Sequence, residues 1–465
     1  MTFAQWTQAA EETAPPASKA GIEEVIVTAE RTEESVQDVP IAVTALTGEM
    51  LESRGVITAS DLQMNSPSLT FTATNFGGSS YSIRGIGNLV IGGESGVSTH
   101  INEIPIASNL NSVEFYDVER VEVLRGPQGT LFGRNATGGA VNMVTKRPDF
   151  ERINGYVDLE AGDYDNQRVK GAVNFPITDN FAIRAAGMAL QRDGFIDNVA
   201  YGQVADNGVG AGVDTIKGID NDIDGRDFTT YRITAEWAIT DQSNLWVMYS
   251  DFDENDDRAR ITNQVCAVNP VPTTGCLPDT QGFDAPNAYT GTGGIIWGLS
   301  AKALPIAATV PQKYNRRPTG LRSMHTDFEP VFKQQEKIWA TGFDYQFDQF
   351  TVGLSGAYQE SDYLSQQDYY MDTGALLFNG SINFPTSAPA GAAGDDWRPG
   401  PCSFNNGTSG ARAASNPKGG CTRPNTDGSV EFVYDQADAS TEYWTVEAKV
   451  NTTLDGPWNF VVGTN

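Results

Sequence analysis

No stretch of this sequence comes near the run of about 20 unbroken apolar residues that a membrane-crossing helix needs. The nearest, from Gly293 to Val310, is cut by Lys302 and Pro305. A spanning helix is excluded. Spanning strands are not, because they leave a far weaker trace in hydropathy. Basic residues are scarce too: 31 Lys and Arg stand against 59 Asp and Glu, for a net charge of -28. No Lys/Arg run of useful length exists, so a nucleic-acid footprint is excluded. The N-terminus, MTFAQWTQAAEETAPPASKA, has neither the basic stretch nor the apolar core of an export signal. It reads as the flexible start of a mature exported protein. Histidine occurs twice, at His100 and His325, and cysteine four times.

The cysteines fall in two local pairs, Cys266 with Cys276 and Cys402 with Cys421, inside Gly/Pro/Asn-rich stretches. Metal sites favour tighter Cys spacing with histidines close by. Two disulfides within loops of an oxidising compartment are the expectation, the alternative being four free thiols. Paired carboxylates such as Asp256 and Asp257 sit in an acidic run, DFDENDD, with no neighbouring base, and read as solvated loop rather than catalytic acid and base. No spaced calcium loop with its glycine is evident. No catalytic residue, metal site or cofactor is expected.

What is present is patterned. The chain of 465 residues exceeds one ordinary domain, and its 39% hydrophobic and 10% aromatic content is that of a folded protein. Residues 1–22 read as a disordered leader. IEEVIVTAER follows, a short apolar stretch between acidic residues, suited to pairing with another sheet. Residues 36–147 read as a mixed α/β unit. Leu46 to Arg54 has helical spacing ended by Gly55, and Thr58 with Asp61 resembles a capping pair that opens a second short helix before Pro67. YSIRGIG and VERVEVLRG read as strands.

After Pro148 the texture changes to strands of about ten residues with period-two alternation. Trp339, Thr341, Phe343, Tyr345 and Phe347 share one face, and Ala340, Gly342, Asp344 and Gln346 the other. Phe350, Val352, Leu354 and Tyr358 alternate likewise, as do Tyr231, Ile233, Ala235 and Trp237. Trp444, Val446, Ala448 and Val450 stand opposite Tyr443, Thr445, Glu447 and Lys449; Val169, Val173 and Phe175 stand opposite Lys170 and Asn174. A sandwich would give the same alternation, but the connections are sorted by length. ITDN, ITDQ, FDQ and LDGP are tight turns, whereas long polar stretches lie near 193–227, 253–335 and 365–440. Long loops at one end and tight turns at the other are the pattern of a transmembrane barrel.

In sequence order, EEVIVTAER (23–31), VPIAVTALTGEMLESRGVITASDLQMNSPSLTF (39–71), YSIRGIG (81–87) and VERVEVLRGPQGTLFGRNATGGAVNMVTKRP (118–148) resemble the motifs of TonB-dependent outer-membrane receptors. The resemblance implies an α+β plug domain over 36–147 followed by an antiparallel transmembrane β-barrel from 148 to 465. It implies that 23–31 is the TonB box, with Glu24, Val25, Ile26, Val27, Thr28 and Ala29 adding as a strand to TonB of the inner membrane. It implies a small extracellular ligand bound between the long loops and the plug apex, and uptake driven by the proton gradient across an outer membrane whose lipid surrounds the barrel. Two plug arginines that pair with wall glutamates correspond to Arg84 and Arg125, with Glu447 the candidate wall partner. The glycine-rich motif has no GK[ST] and no surrounding βαβ unit, which excludes a phosphate loop. Gly126, Gly129, Gly133, Gly138 and Gly139 are expected as packing glycines where plug backbone lies close against the barrel wall.

Two departures from the family pattern stand out. HINEIPIAS has Asn102 and Glu103 where an Asp-Gly turn is usual. And about nine strands are recognisable where such a barrel has about 22, which reads as a fragment cut within the barrel. A ferric siderophore is the expected ligand, with vitamin B12, oligosaccharide or haem as alternatives; haem would call on His100 and His325. A passive porin is the competing class, and residues 23–147 argue against it. An enzyme is not expected. Ligand identity is not legible in this sequence.

Overall fold

In a computed structural model of the chain, the residues described are 25–28, 31, 34–73, 79–87, 95–107, 114–198, 204–206, 213–215, 222–258, 322–324, 329–367, 435–452, 454 and 460–464. They begin with a two-residue ladder, β1 (Ile26–Val27) against β2 (Glu34–Ser35). β3 (Ala42–Thr47) leads directly into α1 (Gly48–Ser53). The helix starts two residues later than its spacing suggests, because Leu46 and Thr47 pair with Val121 and Arg120 in a ladder and Thr47 then caps the helix, its Oγ1 accepting from the Met50 N–H at 3.2 Å. The Thr58–Asp61 capping box forms, Asp61 accepting the Thr58 N–H at 2.8 Å, and opens a 3₁₀ turn that runs into α2 (Leu62–Asn65).

β4 (Leu69–Ala73) and β5 (Ser79–Ile83) form a hairpin. β6 (Val97–Ile101), β7 (Ile104–Ile106), β8 (Val118–Arg125), the short α3 (Gly129–Phe132) and β9 (Gly139–Thr145) follow. One sheet orders its strands β3-β8-β9-β6-β7, with β6 and β9 parallel and the other pairs antiparallel. VERVEVLR is an inner strand of it. Val121, Val123 and Leu124 are all fully buried, so both faces of β8 are covered, which the run of valines permits.

The second sheet is a nine-stranded antiparallel meander. Its members are β10 (Asn154–Gly162), β11 (Asn166–Thr178) and β12 (Phe181–Arg192), which follow directly. Four short pieces come next: β13 (Ile196–Asn198), β14 (Val204–Asp206), β15 (Val213–Thr215) and β16 (Asp222–Ile223). The meander resumes with β17 (Arg226–Thr240) and β18 (Ser243–Asp256), and after β19 (Ser323–Met324) continues through β20 (Val331–Gln346), β21 (Phe350–Gln367), β22 (Asp435–Thr452) and β23 (Val461–Thr464). β13 joins β16 and β19 in a three-stranded patch beyond the ends of the long strands.

The alternating faces read from sequence are those observed, but with inverted polarity relative to a water-soluble sheet. Val157 is 74% exposed and Trp444 73%, while Arg232, Glu236 and Thr234 on the opposite face are buried. The buried face packs on the small sheet: Trp246, Met248, Ile338 and Ala340 share one apolar cluster with Leu46, Val121, Val141 and Ile101. The outer face carries a row of aromatic rings across adjacent strands, Tyr231–Tyr249–Trp339–Tyr358, with successive centroids 5.9, 5.1 and 5.6 Å apart.

Candidate functional site

The stretch read as the coupling strand is folded back on the small sheet. Alternation sends Val27 inward, where it is fully buried with Val39, Leu124, Phe132 and Ala140. The next residue, Thr28, donates its backbone N–H to Glu122 Oε1 at 2.9 Å. Glu122 is itself inaccessible to solvent, and its charge is met by Arg120 Nε at 2.8 Å and Asn142 Nδ2 at 3.1 Å. A carboxylate in such a place is tolerated only with several donors around it. Glu24 and Ala29, at the two ends of the sequence-defined strand, lie outside the described residues. The four between them, Val25 to Thr28, are held rather than free.

Arg31, which sequence reasoning passed over, closes the segment. Its Nε donates to the Leu131 carbonyl at 2.8 Å, one Nη to the Glu103 carbonyl at 2.9 Å, and its guanidinium lies 4.6 Å from the centre of the Phe132 ring. Its other Nη reaches Glu447 on β22 at 3.3 Å. Glu447 thus faces the small sheet, as its alternation requires, but it pairs with Arg31. Among the described residues neither Arg84 nor Arg125 forms an ion pair, and Arg125 Nε is buried without a partner. The reason is placement. Arg84 stands exposed on a tight turn at φ 54°, and Arg125 ends β8 between its ladder partners Ala42 and Gly139.

The charges that join the two sheets have mostly the opposite sense. Asp117, in the turn before β8 at φ 49°, accepts from Arg184 Nε on β12 at 2.8 Å and lies 3.8 Å from Arg232 on β17. Arg232 also donates to the Asp117 carbonyl at 2.7 Å and stands 4.9 Å from the Tyr116 ring. Arg168 meets Glu114 at 3.2 Å, Lys170 meets Glu52 at 3.5 Å, and Lys449 meets Glu103 at 3.2 Å. Burial raises the Glu114 carboxyl above its ordinary range, with the Arg168 charge working against it. Where the chain leaves the small sheet, Arg147 pairs with Glu236 at 3.4 Å and stacks 4.5 Å from the Trp246 ring. A side chain at Gly342 would collide with that indole, so the glycine makes the platform for it.

The motif glycines act within the small sheet rather than against the large one. A Cβ on Gly139 would meet the Leu124 carbonyl, and one on Gly138 would stand 2.8 Å from the Ile86 carbonyl. Gly126 and Gly133 occupy left-handed φ values of 113° and 75°, whereas Gly129 has open space around it and begins α3. The Asn102–Glu103 pair forms a two-residue turn between β6 and β7 with φ values of 50° and 69°, the geometry usually given to Asn-Gly or Asp-Gly. His100 is fully buried. Its Nδ1 is 3.2 Å from the Glu103 carbonyl and its Nε2 3.0 Å from Ser98 Oγ, so neither nitrogen is turned towards a ligand. Burial first, then the Arg31 charge, lowers its pKa to about 3 and keeps it neutral. His325 and Cys266, Cys276, Cys402 and Cys421 lie outside the described residues.

Comparison with known proteins places this arrangement. A family model for the TonB-dependent Receptor Plug Domain matches residues 35–140. The ferripyoverdine receptor of Pseudomonas aeruginosa is 29% identical over 170 residues, 36% of this chain and 20% of that protein. The pesticin receptor of Yersinia pestis is 28% identical over 195 residues, 42% of this chain and 29% of that protein. The chain therefore matches less than a third of the length of these relatives. Among solved structures, the ferric yersiniabactin uptake receptor FyuA from Yersinia pestis superposes with a TM-score of 0.55 at 17% identity, covering 91% of this chain and 47% of that one. Pyoverdine-bound FpvA from P. aeruginosa does so with a TM-score of 0.56 at 15% identity, covering 94% and 43%. Residues 35–140 are thus similar to the plug of TonB-dependent receptors, and together with the nine-stranded sheet wrapped on them they share the fold of these solved receptors.

Proposed function

We propose that this chain belongs to a receptor that takes up a ferric siderophore across the bacterial outer membrane, driven by TonB. The observation that supports this best is the inverted wall: an apolar outer face ringed by aromatics, a charged inner face, and a plug ion-paired into it. A barrel closed by a plug passes nothing until the plug is moved, so an external source of work is required. The segment at 23–31, which includes β1 ahead of the plug, is where that work would enter by strand addition. A relative described as a ferripyoverdine receptor, and a neighbour described as a ferric yersiniabactin uptake receptor, favour an iron chelate over vitamin B12, oligosaccharide or haem. His100, neutral and hydrogen-bonded at both nitrogens, offers nothing to haem iron.

On this reading the leader occupies 1–22, the TonB box 23–31, the plug 36–147 and the wall 148–465. The Cys266–Cys276 and Cys402–Cys421 pairs are disulfides within extracellular loops. The chain supplies binding and gating, not bond chemistry. The test is uptake of radiolabelled iron, presented as a panel of ferric siderophores, by cells carrying the full-length receptor. Uptake of one chelate that stops when TonB is deleted or the proton gradient is collapsed is the expected result. Uptake that continues without TonB would point to passive passage instead.

A further inference from the structure

Glu103 sits where a receptor plug has most use for glycine. Its φ of 69° is a left-handed conformation that a side chain makes costly, and the preceding Asn102, at 50°, is a residue that tolerates it. Strain of this kind persists only where the surroundings over-determine it. Every polar group of Glu103 is engaged. Its N–H donates to Asn142 Oδ1 at 3.0 Å, and its carbonyl accepts from Arg31 at 2.9 Å and lies 3.2 Å from His100 Nδ1. Its carboxylate stands 3.4 Å from Arg31 Nη1 and 3.2 Å from Lys449 Nζ.

These contacts form one chain of alternating charge, Glu447–Arg31–Glu103–Lys449, whose two ends lie two residues apart on the same face of β22. Asn451, the next residue on that face, donates to the Arg31 carbonyl at 3.2 Å. The segment after β1 is thereby fastened to the plug and to one wall strand by the same few groups. Asn142, which takes the Glu103 N–H, also donates to Glu122, the carboxylate that holds Thr28.

We propose that Glu103 is the positioning residue of the coupling strand: its carboxylate bridges Arg31 to Lys449, so that the strand stays stowed as long as β22 keeps its place beside the plug. The strand's accessibility is then set by the wall as well as by the plug. A shift of β22 that parts Lys449 from Glu103 loosens the strand, even though Lys449 does not touch it. This rests on the reading of 24–29 as the strand that TonB takes.

The substitution Glu103→Gly tests it without endangering the fold, because glycine suits the turn better than glutamate does. In full-length receptor in detergent micelles, hydrogen exchange at the Thr28 and Arg31 amides is expected to quicken by about tenfold or more, as loss of charged hydrogen bonds implies. Exchange across β8 and β9 should not change. Lys449→Met should quicken the same two amides, which a role of Glu103 confined to its own turn would not produce. Unchanged exchange at Thr28 and Arg31 in Glu103→Gly, or an equal rise throughout β8 and β9, would overturn the proposal. A separate binding measurement with the periplasmic domain of TonB divides the two readings. Freed amides with tighter TonB binding support both; freed amides with no change in TonB binding leave the Glu103 bridge standing and overturn the assignment of the coupling strand.

Discussion

The plug sheet and the wall sheet are built from the same kinds of residue in opposite sense. In the plug, β8 buries Val121 and Val123 on one face and Leu124 on the other, and keeps Glu122 inside only because Thr28, Arg120 and Asn142 surround it. In the wall, Val157, Val446 and Trp444 face outward, while Arg184, Arg232, Glu236 and Glu447 face in. A sheet in water does the reverse of this wall. The difference teaches what each face meets: the plug is folded against itself as a soluble domain is, and the wall is folded between hydrocarbon and a polar lumen. Charge is the means by which the two are joined.

The sharpest way to break that join is at Asp117. Removing its carboxylate in Asp117→Ala leaves Arg184 and Arg232 buried without the anion they share, at a cost of roughly 3–5 kcal/mol. Limited proteolysis of the receptor in micelles should show the plug cut while the wall resists. A double cycle with Arg184→Ala should recover a large part of the loss. The wall's outer face is tested by Val446→Arg, which should cost about 2–4 kcal/mol in a bilayer at mid-depth. The equivalent change on a water-facing strand would cost next to nothing, so equal stability in lipid would contradict the assignment of that face. The plug's solvent-free interior is tested more gently at His100. Its folded pKa, about 3, lies below the ordinary value of 6.5, so the unfolded chain takes up the proton first as pH falls. Stability from this group is complete above about pH 6.5 and is lost towards pH 3, by at most about 1.4 kcal/mol per pH unit. Urea unfolding of the plug at a series of pH values should show this slope, and His100→Phe should remove it.

Much of this was legible in the sequence, and the limits are physical. Alternation assigned the faces of β17, β20, β21 and β22 because side-chain direction in a strand depends on nothing but parity. The Thr58–Asp61 box was legible because its partners are three residues apart. The plug–wall pairs were not. Asp117 and Arg184 stand 67 positions apart, and Arg31 and Glu447 stand 416 apart. Parity says that Glu447 points inward but not what lies across the lumen, which is why motif analogy chose Arg84 and Arg125 where the fold supplies Arg31. The motif glycines were read for close approach, and close approach is what Gly138 and Gly139 make, but the backbone they meet is the plug's own. Glu103 is legible in the sequence only as a departure from the usual Asp-Gly turn, because its partners, Arg31 and Lys449, come together only in the folded chain.

On the proposed function, residues 24–29 are the strand through which work enters the plug. A proline at Ile26 removes a ladder donor and fixes φ, so strand addition fails there while side-chain changes matter little. Cells carrying the full-length receptor with Ile26→Pro should bind labelled ferric siderophore at their surface as the parent does and accumulate none of it, and Ile26→Ala should accumulate it at close to the parent rate. Normal accumulation by the proline variant would contradict the account, placing the coupling strand elsewhere; lost surface binding would contradict it differently, by showing that this segment holds the plug together.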